Sequence, residues 1–324
     1  MPVKQDNSQT MPLISFIITY YNLPPAMLRE CVGSIVGLNL NRHEREIILV
    51  DDGSAANPME YLEEWGSDII YIRQENSGLS AARNTGISAA KGDYLQIVDG
   101  DDKLIKTGYD KCIEILKANK PDMLMFLLTN SISANNSQTF SVTTGIEYML
   151  HNNIRSTACG YLFRKDILNG HAFTCGVLHE DDEFTPLLML KAKNLADTTI
   201  NAYWYRERAN SITTNNDKTA VQRRLDHKRD GIFRLQHACL ALADKQREAL
   251  DRRIAQLAMD YIYTIIMDDK PSLAKRLGEL RQHALYPLPN KSYTSKYKWF
   301  RIISGNKLGI RFLSYSLPLI KRER

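Results

Sequence analysis

Short apolar runs alternate with amphipathic stretches through the first 130 residues of the chain. The runs are β-branched or aliphatic, which is typical of strands buried on both faces of a parallel sheet. They lie at residues 14–19, 46–50, 68–72, 94–98 and 122–128. The segments between them predict helices near residues 25–37, 58–65, 79–90 and 106–119. This order favours βαβ units, and therefore an α/β fold with a mostly parallel open sheet and helices on both faces.

The pattern changes in the second half of the chain. Residues 130–144 are rich in Ser, Thr and Asn and predict a loop with one edge strand. Further strands at 157–163 and 196–205 flank a helix near 183–193, and helical patterns follow at 218–243, 245–267 and 271–284. We therefore predict an α/β domain over residues 12–215 and a helical C-terminal region with a basic, aromatic tail over residues 216–324.

The composition is that of an ordinary globular protein, with 324 residues, 44% hydrophobic and 24% charged, which excludes a disordered or fibrous chain. The net charge of +5 is unevenly distributed, because residues 286–324 hold nine Lys or Arg and one Glu. The remaining chain is slightly acidic, so we expect no nucleic-acid partner. Cations with interleaved aromatic residues in 286–324 suit an anionic membrane surface. The alternative is a solvated tail that packs its apolar residues on the rest of the protein.

The cysteines and the composition of the N-terminal residues indicate the cellular compartment of the protein. The five cysteines are scattered without a CxxC pair, which predicts neither a metal cage nor a disulfide framework. The N-terminal residues lack the apolar core of a signal peptide, and no uncharged run is apolar enough to span a bilayer. We therefore expect a cytoplasmic protein, with membrane contact at most peripheral.

Polar residues cluster directly after the predicted strands. They are Tyr20, Tyr21 and Asn22 after the first strand, Asp51 and Asp52 after the second, residues 74–78 after the third, and residues 99–102 after the fourth. Open α/β sheets bind ligands beyond the carboxyl ends of their strands, so these residues predict a binding site at that edge.

The strongest chemical signal is the acidic cluster of Asp99, Asp101 and Asp102. Alternation in an extended backbone places Asp99 and Asp101 on the same side, where two carboxylates can share one cation. Such hard oxygen ligands suit Mg²⁺ or Mn²⁺, which complete their shell with water and substrate phosphates. The alternative is a polar turn in which Asp102 caps the next helix.

Other strand-end residues suit a nucleotide. A carboxylate at Asp51 or Asp52 can accept from a nucleobase N–H or a ribose hydroxyl. Gly78 opens a predicted helix whose N-terminus is suited to face a phosphate. Arg83 supplies a planar cation for a diphosphate or base, although the same residue could lie on the surface. A Rossmann oxidoreductase is excluded, because no Gly-rich fingerprint follows the first strand.

Five motifs, IITYYN, VDDGS, ENSGLSAARNTGI, KGDYLQIVDGDD and HEDDEF, occur in one order. Together they resemble the family 2 glycosyltransferases, inverting enzymes with the GT-A fold of nucleotide-diphospho-sugar transferases, over residues 12 to about 213. The resemblance implies a nucleoside, usually uridine, held by Thr19, Tyr21 and Asp52. It implies that Asp99 lies near the ribose or metal, that Asp101 is the direct metal ligand, and that Asp102 supports it. In Glu180-Asp181, the Asp would be the catalytic base.

The second acidic cluster, CGVLHEDDEF, precedes an apolar helix. Inverting transfer needs a carboxylate that takes a proton from the attacking hydroxyl. Our hypothesis is that Asp181 is this base and that Glu180 orients it or contacts the acceptor. The alternative is that these acids only complement the helix dipole. The preceding His179 is expected to be a solvent-exposed loop residue and is not assigned to a metal.

Two arginines at alternating positions, Arg206 and Arg208, follow the last predicted strand. The spacing lets both face one phosphate pocket, and the segment resembles the family's loop over the diphosphate. The alternative is that they are rim charges that pair with Glu207 and its neighbours.

The sequence thus predicts a metal-dependent glycosyltransferase that moves a sugar from a nucleotide-diphosphate donor, usually UDP-linked, to a hydroxyl of a glycan or lipid-linked acceptor. The resemblance further suggests bacterial surface polysaccharide biosynthesis at the cytoplasmic face of the inner membrane. The alternative is a catalytically inactive sugar-nucleotide or glycan-binding module on the same fold, which would have no use for the base.

Overall fold

The computed structural model describes residues 11–130, 139–155, 157–207 and 217–322. The contacts divide the chain into two compact units, which we describe separately. The sheet unit comprises Met1–Thr144, Thr157–Gly176 and Ala192–Glu207, and the helical unit comprises Gly145–Ser156, Val177–Lys191 and Arg208–Arg324.

This division differs from the predicted single boundary near residue 215. The segments Gly145–Ser156 and Val177–Lys191 group with the C-terminal helices. The close packing of these two segments is visible at Gly145, where an added Cβ would lie 1.8 Å from the Met189 carbonyl oxygen. A change of composition along the chain cannot reveal such packing between distant segments. The sequence therefore suggested one boundary, whereas the chain passes between the two units several times.

The sheet unit contains the strands β1 (Ile14–Tyr20), β2 (Arg45–Asp51), β3 (Ile69–Arg73), β4 (Tyr94–Asp99), β5 (Lys103–Leu104), β6 (Met123–Thr129), β7 (Phe140–Thr143), β8 (Tyr161–Arg164) and β9 (Leu195–Trp204). Its helices are α1 (Pro25–Val36), α2 (Leu79–Ala89) and α3 (Lys106–Asn119). The strand order is β3-β2-β1-β4-β8-β6-β9-β5, and β7 also pairs with β9.

The strand directions make this a mixed sheet. Strands β3, β2, β1 and β4 are parallel, as the sequence predicted. Strand β8 then lies antiparallel between β4 and β6, and β5 and β7 are antiparallel to β9. The α/β class is confirmed, and β6 and β9 also pair in parallel, but the antiparallel pairs of β5, β7 and β8 make the sheet mixed. A buried strand has the same apolar composition in either direction, so the apolar runs could not report direction.

Some local predictions differ from the structure. The predicted helix at 58–65 consists of two 3₁₀ turns, Pro58–Tyr61 and Glu63–Asp68. They meet at Leu62, whose side chain is fully buried and whose backbone leaves the helical region at φ −124°. The two-residue strand β5 and the short helix at Gly145–His151 were not predicted. The edge strand expected within 130–144 is confirmed as β7.

The helical unit contains α4 (Gly145–His151), α5 (Asp181–Met189), α6 (Lys218–Ala238), α7 (Asp244–Asp268), α8 (Leu273–Gln282), α9 (Ser295–Ser304) and α10 (Lys307–Arg322). Helix α7 is its core element, with buried side chains on several faces, among them Leu250, Ile254, Tyr261, Ile262 and Ile265. The predicted helices α6, α7 and α8 are confirmed, whereas α9 and α10 were expected only as a basic tail. No helix in the described part of the chain is long and apolar enough to cross a membrane.

Candidate functional site

The strand register brings the predicted strand-end residues together in the sheet unit. Thr19 at the end of β1 lies opposite Val50 on one side and Asp99 on the other. The Gly100 N–H donates to the Thr19 carbonyl oxygen over 3.1 Å. A Cβ on Gly100 would lie 2.8 Å from that oxygen, so the neighbouring backbone favours glycine at this position.

The loops after β1 and β2 are joined through Asn22, which has a left-handed φ of 47°. Its N–H donates to the Ser54 hydroxyl over 3.0 Å, and its side-chain oxygen accepts from the Ala55 N–H over 2.9 Å. The neighbouring Tyr21 side chain is 51% exposed. Asn22 therefore shapes the loop from which the exposed Tyr21 ring projects.

Asp51 is completely buried, which differs from the expectation that it binds a nucleotide. Its carboxylate accepts from the Ser54 N–H over 2.9 Å, from the Tyr71 hydroxyl over 2.9 Å and from Arg73 over 3.0 Å. These bonds compensate the cost of burying the charge. We interpret Asp51 as a residue that supports the loop after β2.

The Asp52 carboxylate lies at the N-terminus of α2. It accepts from Gln74 over 2.7 Å and from the N–H groups of Ser77 and Gly78 over 2.9 Å. Gly78 has φ 87°, which favours glycine. The helix end that we expected to face a phosphate therefore holds a protein carboxylate, which complements the helix dipole.

Arg83 of α2 is buried, contrary to the alternative of a surface residue. It pairs with the Asp99 carboxylate over 3.1 Å, and its guanidinium lies 5.3 Å from the centroid of the Phe173 ring. The second Asp99 oxygen accepts from the Cys159 thiol over 3.4 Å. Burial raises the pKa of Cys159 well above its usual value, so this sulfur stays a protonated donor. Arg83 thus holds Asp99 in place.

The 99–102 loop is closed by Tyr203 of β9. Its hydroxyl donates to the Asp102 carboxylate over 2.9 Å and accepts from the Asp99 N–H over 3.1 Å. Asp102 is almost completely buried, and this burial, with the nearby charge of Asp99, raises its pKa to about 7. Tyr203 had no assigned role in the sequence.

Arg206 also contacts the 99–102 loop. Its N–H donates to Asp102 over 2.8 Å, and its Nε donates to the Asp101 carbonyl oxygen over 2.8 Å. A terminal nitrogen pairs with Glu30 over 2.8 Å, and the guanidinium lies 4.6 Å from the centroid of the Trp204 ring. Arg206 therefore holds the acidic loop and is not a rim charge paired with Glu207. Arg208 lies outside the described residues.

These contacts test whether the acidic loop fits a divalent cation. Within the described ranges, no three His, Cys, Asp or Glu side chains form a group that could hold a metal ion. Asp102 uses both carboxylate oxygens, and Asp99 pairs with Arg83 and Cys159. Asp101 lies in the turn of this loop and is partly exposed. One such carboxylate fits Mg²⁺ or Mn²⁺ when substrate phosphates supply the other ligands.

In the helical unit, Glu180 is buried and Asp181 begins α5. The segment around them is anchored by side chains from α6 and α7. The Leu178 N–H donates to His227 Nδ1 over 2.9 Å. Asp182 pairs with Arg253 over 2.8 Å, and Glu183 pairs with Arg234 over 2.8 Å. Of the four clustered acids, Asp182 and Glu183 therefore have structural ion pairs.

Burial is the main influence on the pKa of the two histidines at this site. Burial lowers the pKa of His227, which favours the neutral ring that can accept from Leu178. His179, expected to be solvent-exposed, is instead partly buried with φ 62°, and burial also lowers its pKa. The sequence contained no signal for His227, Arg234 or Arg253, because each lies in a long helix with many similar residues.

Comparisons with known proteins agree with this architecture. The sequence profile of the family described as glycosyl transferase family 2 matches residues 15–186. The chain is similar to Staphylococcus aureus TarS residues 1–349 in complex with UDP-GlcNAc, with a TM-score of 0.68 and 15% identity, over 96% of this chain and 91% of that chain. It is also similar to a mannosyltransferase from Pyrobaculum calidifontis in complex with GDP-Man and Mn²⁺, with a TM-score of 0.56 and 12% identity, over 96% and 86% of the two chains. At these identities the likeness shows the GT-A fold. No sequence with a curated function matches the chain.

Proposed function

The chain belongs to the family 2 glycosyltransferases, and we propose that it transfers a sugar from a UDP-sugar to a hydroxyl of a glycan or lipid-linked acceptor, with inversion and with a divalent cation. One observation carries the proposal. The acidic loop after β4 is held by Tyr203, Arg206 and Arg83, and the partly exposed Asp101 lies in its turn. A binding site for a metal-bound diphosphate needs such a rigid, acidic loop at the carboxyl ends of the strands.

The nucleoside would lie at the ends of β1 and β2. Thr19 and Asn22 define this edge, and the exposed Tyr21 ring is suited to pack on a planar base. The Asp52 carboxylate would exchange one of its loop contacts for a base N–H. The complex of TarS with UDP-GlcNAc supports uridine, whereas the complex of the Pyrobaculum calidifontis mannosyltransferase with GDP-Man supports guanosine as the competing base.

The diphosphate would be held at the acidic loop, with Asp101 as the cation ligand, Asp102 as its support and Asp99 near the ribose. A divalent cation bound there supplies positive charge for the leaving diphosphate. The partly exposed guanidinium of Arg206 already contacts the Asp101 backbone and would add a second positive charge beside it. Arg208 is proposed to act on the same diphosphate.

The proton of the acceptor hydroxyl would be taken by Asp181. This assignment rests on the resemblance of the 179–184 motif, in which Asp181 is the first residue of α5. Glu180 would orient the base or contact the acceptor. A carboxylate in this role needs to remain ionised while it approaches the hydroxyl within hydrogen-bond distance.

The proposed setting is the assembly of a bacterial surface polysaccharide on the cytoplasmic side of the inner membrane. The basic C-terminal segment, residues 286–324, supports peripheral contact with anionic lipid, where a lipid-linked acceptor would be present.

The test is UDP release from a panel of UDP-hexoses, UDP-N-acetylhexosamines and UDP-uronic acids, with GDP-mannose as a comparison, in Mn²⁺ and after metal removal with EDTA. We expect release from one UDP-sugar class, and loss of release in EDTA. Tight binding of a UDP-sugar without release, with and without candidate acceptors, would instead indicate a catalytically inactive binding module. Release from GDP-mannose alone would contradict the uridine assignment.

A further inference from the structure

The last two helices of the helical unit carry positive charge without acidic residues. Neither Ser295–Ser304 (α9) nor Lys307–Arg322 (α10) contains Asp or Glu. Their cations are Lys296, Lys298, Arg301, Lys307, Arg311, Lys321 and Arg322. The two helices therefore form a segment that attracts anions of any kind.

Helix α10 has two distinct faces. Leu313 and Ser314 are buried against the rest of the helical unit. The opposite face carries four large apolar side chains at helical spacings of four, three and four residues, which we call the α10 stripe: Leu308, Phe312, Tyr315 and Leu319. Their exposed fractions lie between 59% and 81%. Scattered exposed apolar residues are normal, but four in one stripe indicate an interaction surface.

Cations border the α10 stripe. Lys307 and Arg311 are exposed next to Leu308 and Phe312 on the helix. The Lys270 Nζ lies 3.6 Å from the centroid of the Tyr315 ring. An apolar stripe flanked by Lys and Arg, with an aromatic residue on it, has the composition of helices that lie in the interface of a bilayer.

We propose that the α10 stripe inserts into the interface of an anionic lipid bilayer while Lys307 and Arg311 contact the lipid phosphates. Charge favours this occupant over a second copy of the chain, because self-association would bring two acid-free cationic helices together. This membrane contact extends the proposed function and rests on that proposal for its purpose. Its purpose would be access to a lipid-linked acceptor. Vesicle binding itself requires no sugar donor, so it can be measured independently.

The test uses the full chain in sedimentation with vesicles of phosphatidylcholine alone and of phosphatidylcholine mixed with phosphatidylglycerol. We expect binding to the mixed vesicles and a loss of about tenfold in the double variant Leu308→Ser/Phe312→Ser. The matched control is Leu240→Ser, which removes an apolar side chain that is 75% exposed elsewhere in the helical unit. This control should bind the vesicles like the unmodified chain.

Charge is tested by Lys307→Glu/Arg311→Glu, which we expect to weaken binding by at least about fivefold for each cation removed. The control is Lys111→Glu/Lys275→Glu, which makes the same change in net charge at exposed positions on α3 and α8. If both doubles lose binding equally, general charge attraction and not this helix is responsible, and the proposal is wrong.

Two further outcomes would overturn the proposal. One is equal binding to vesicles with and without the anionic lipid. The other is a stripe variant that changes the oligomeric state in light scattering and leaves vesicle binding intact, which would make a second copy the occupant. Metal-dependent UDP release is measured on every variant. A variant that keeps UDP release but loses vesicle binding supports the α10 stripe as a membrane surface. A stripe variant that keeps UDP release and binds vesicles like the unmodified chain contradicts this surface but not the proposed transfer reaction.

Discussion

The hydroxyl of Tyr203 donates a hydrogen bond of 2.9 Å to the buried carboxylate of Asp102. The same hydroxyl accepts from the Asp99 N–H, so one side chain of β9 joins both ends of the acidic loop. The two partners lie 101 residues apart in the chain. Tyr203 is therefore a positioning residue for the loop that would present Asp101 to a cation.

Removing this hydroxyl should change both stability and metal dependence. In Tyr203→Phe, the buried Asp102 loses a donor, and we expect the free energy of unfolding to fall by about 1–3 kcal/mol. The loop would also hold Asp101 less firmly, so the Mn²⁺ concentration for half-maximal UDP release should rise about tenfold. Urea denaturation and an Mn²⁺ titration measure the two effects.

The control for this variant is Tyr109→Phe, which also removes a buried hydroxyl, one that donates to Gln96 over 3.1 Å. We expect a similar loss of stability with an unchanged Mn²⁺ requirement. Equal shifts of the Mn²⁺ requirement in both variants would show that Tyr203 acts only through general stability.

Replacing Asp101 should weaken the cation without unfolding the loop. Its partly exposed carboxylate is the candidate ligand, and Asp101→Asn should reduce Mn²⁺ affinity about 10–100-fold while stability changes little. Isothermal titration with Mn²⁺ and UDP measures this affinity. Asp93→Asn, an exposed residue just before β4, is the control and should match the unmodified chain. An Asp101→Asn variant with normal Mn²⁺ affinity would remove Asp101 from the metal site.

Removing the proposed base should separate chemistry from donor binding. In Asp181→Asn, transfer to the acceptor should fall below detection, while UDP affinity stays near normal, because an amide cannot take the proton of the hydroxyl. Acceptor transfer and UDP binding are measured on the same preparation. Asp244→Asn, at the fully exposed start of α7, should leave both unchanged. Loss of UDP affinity in Asp181→Asn would move this residue to the donor side.

The ion pair between Arg253 and Asp182 should be important for stability. Arg253 is buried and also donates to the Ile154 carbonyl oxygen over 3.1 Å. Arg253→Leu leaves Asp182 unpaired, and we expect a loss of about 2–4 kcal/mol in the free energy of unfolding. Lys245→Met breaks an exposed pair with Glu147 and should cost less than about 1 kcal/mol. Similar losses in the two variants would contradict the role assigned to Arg253.

The two histidines contribute a loss of stability in mild acid, and Asp102 contributes in the opposite direction, because its raised pKa of about 7 makes the folded chain bind more protons than the unfolded chain in this range. Burial lowers the pKa of His227 and His179 below the usual 6.5 in the folded chain, and the charges of Arg223 and Lys228, respectively, contribute in the same direction. Below about pH 6.5 the unfolded chain therefore binds more protons at these two histidines than the folded chain. Their contribution to stability is complete above this pH and is lost as the pH falls through the lower pKa values of the folded state.

Urea denaturation between pH 7.5 and pH 5 (about one unit on either side of the usual histidine pKa) measures this slope. His227→Gln keeps a side-chain acceptor but removes the titration, so on going from pH 7.5 to pH 5 it should lose less stability, or gain more, than the unmodified chain. His237→Gln, an exposed position on the same helix, is the control and should keep the slope of the unmodified chain. A slope that is identical in the unmodified chain and in His227→Gln would contradict the prediction.

Much of the fold could be predicted because its strands are buried on both faces. The runs at β1, β2 and β4 are mostly apolar, and the structure confirms these strands with differences of one residue at their ends. The helices α6, α7 and α8 followed equally from periodicity. The amphipathic α9 and α10 were not predicted as helices, because Arg301, Lys307 and Arg311 interrupt the apolar stretches of this segment.

The sequence by itself determined the α/β class, the family and the acidic residues at the strand ends, because strand burial and local motifs depend on neighbours along the chain. Only the tertiary structure decided what each residue does there. It placed Asp51 in the interior, Asp52 on the end of α2, and Arg83 on Asp99. The contacts of Tyr203 with Asp102 and of Arg253 with Asp182 join residues 101 and 71 positions apart. Such hydrogen bonds depend on distances in space, which no spacing along the chain expresses.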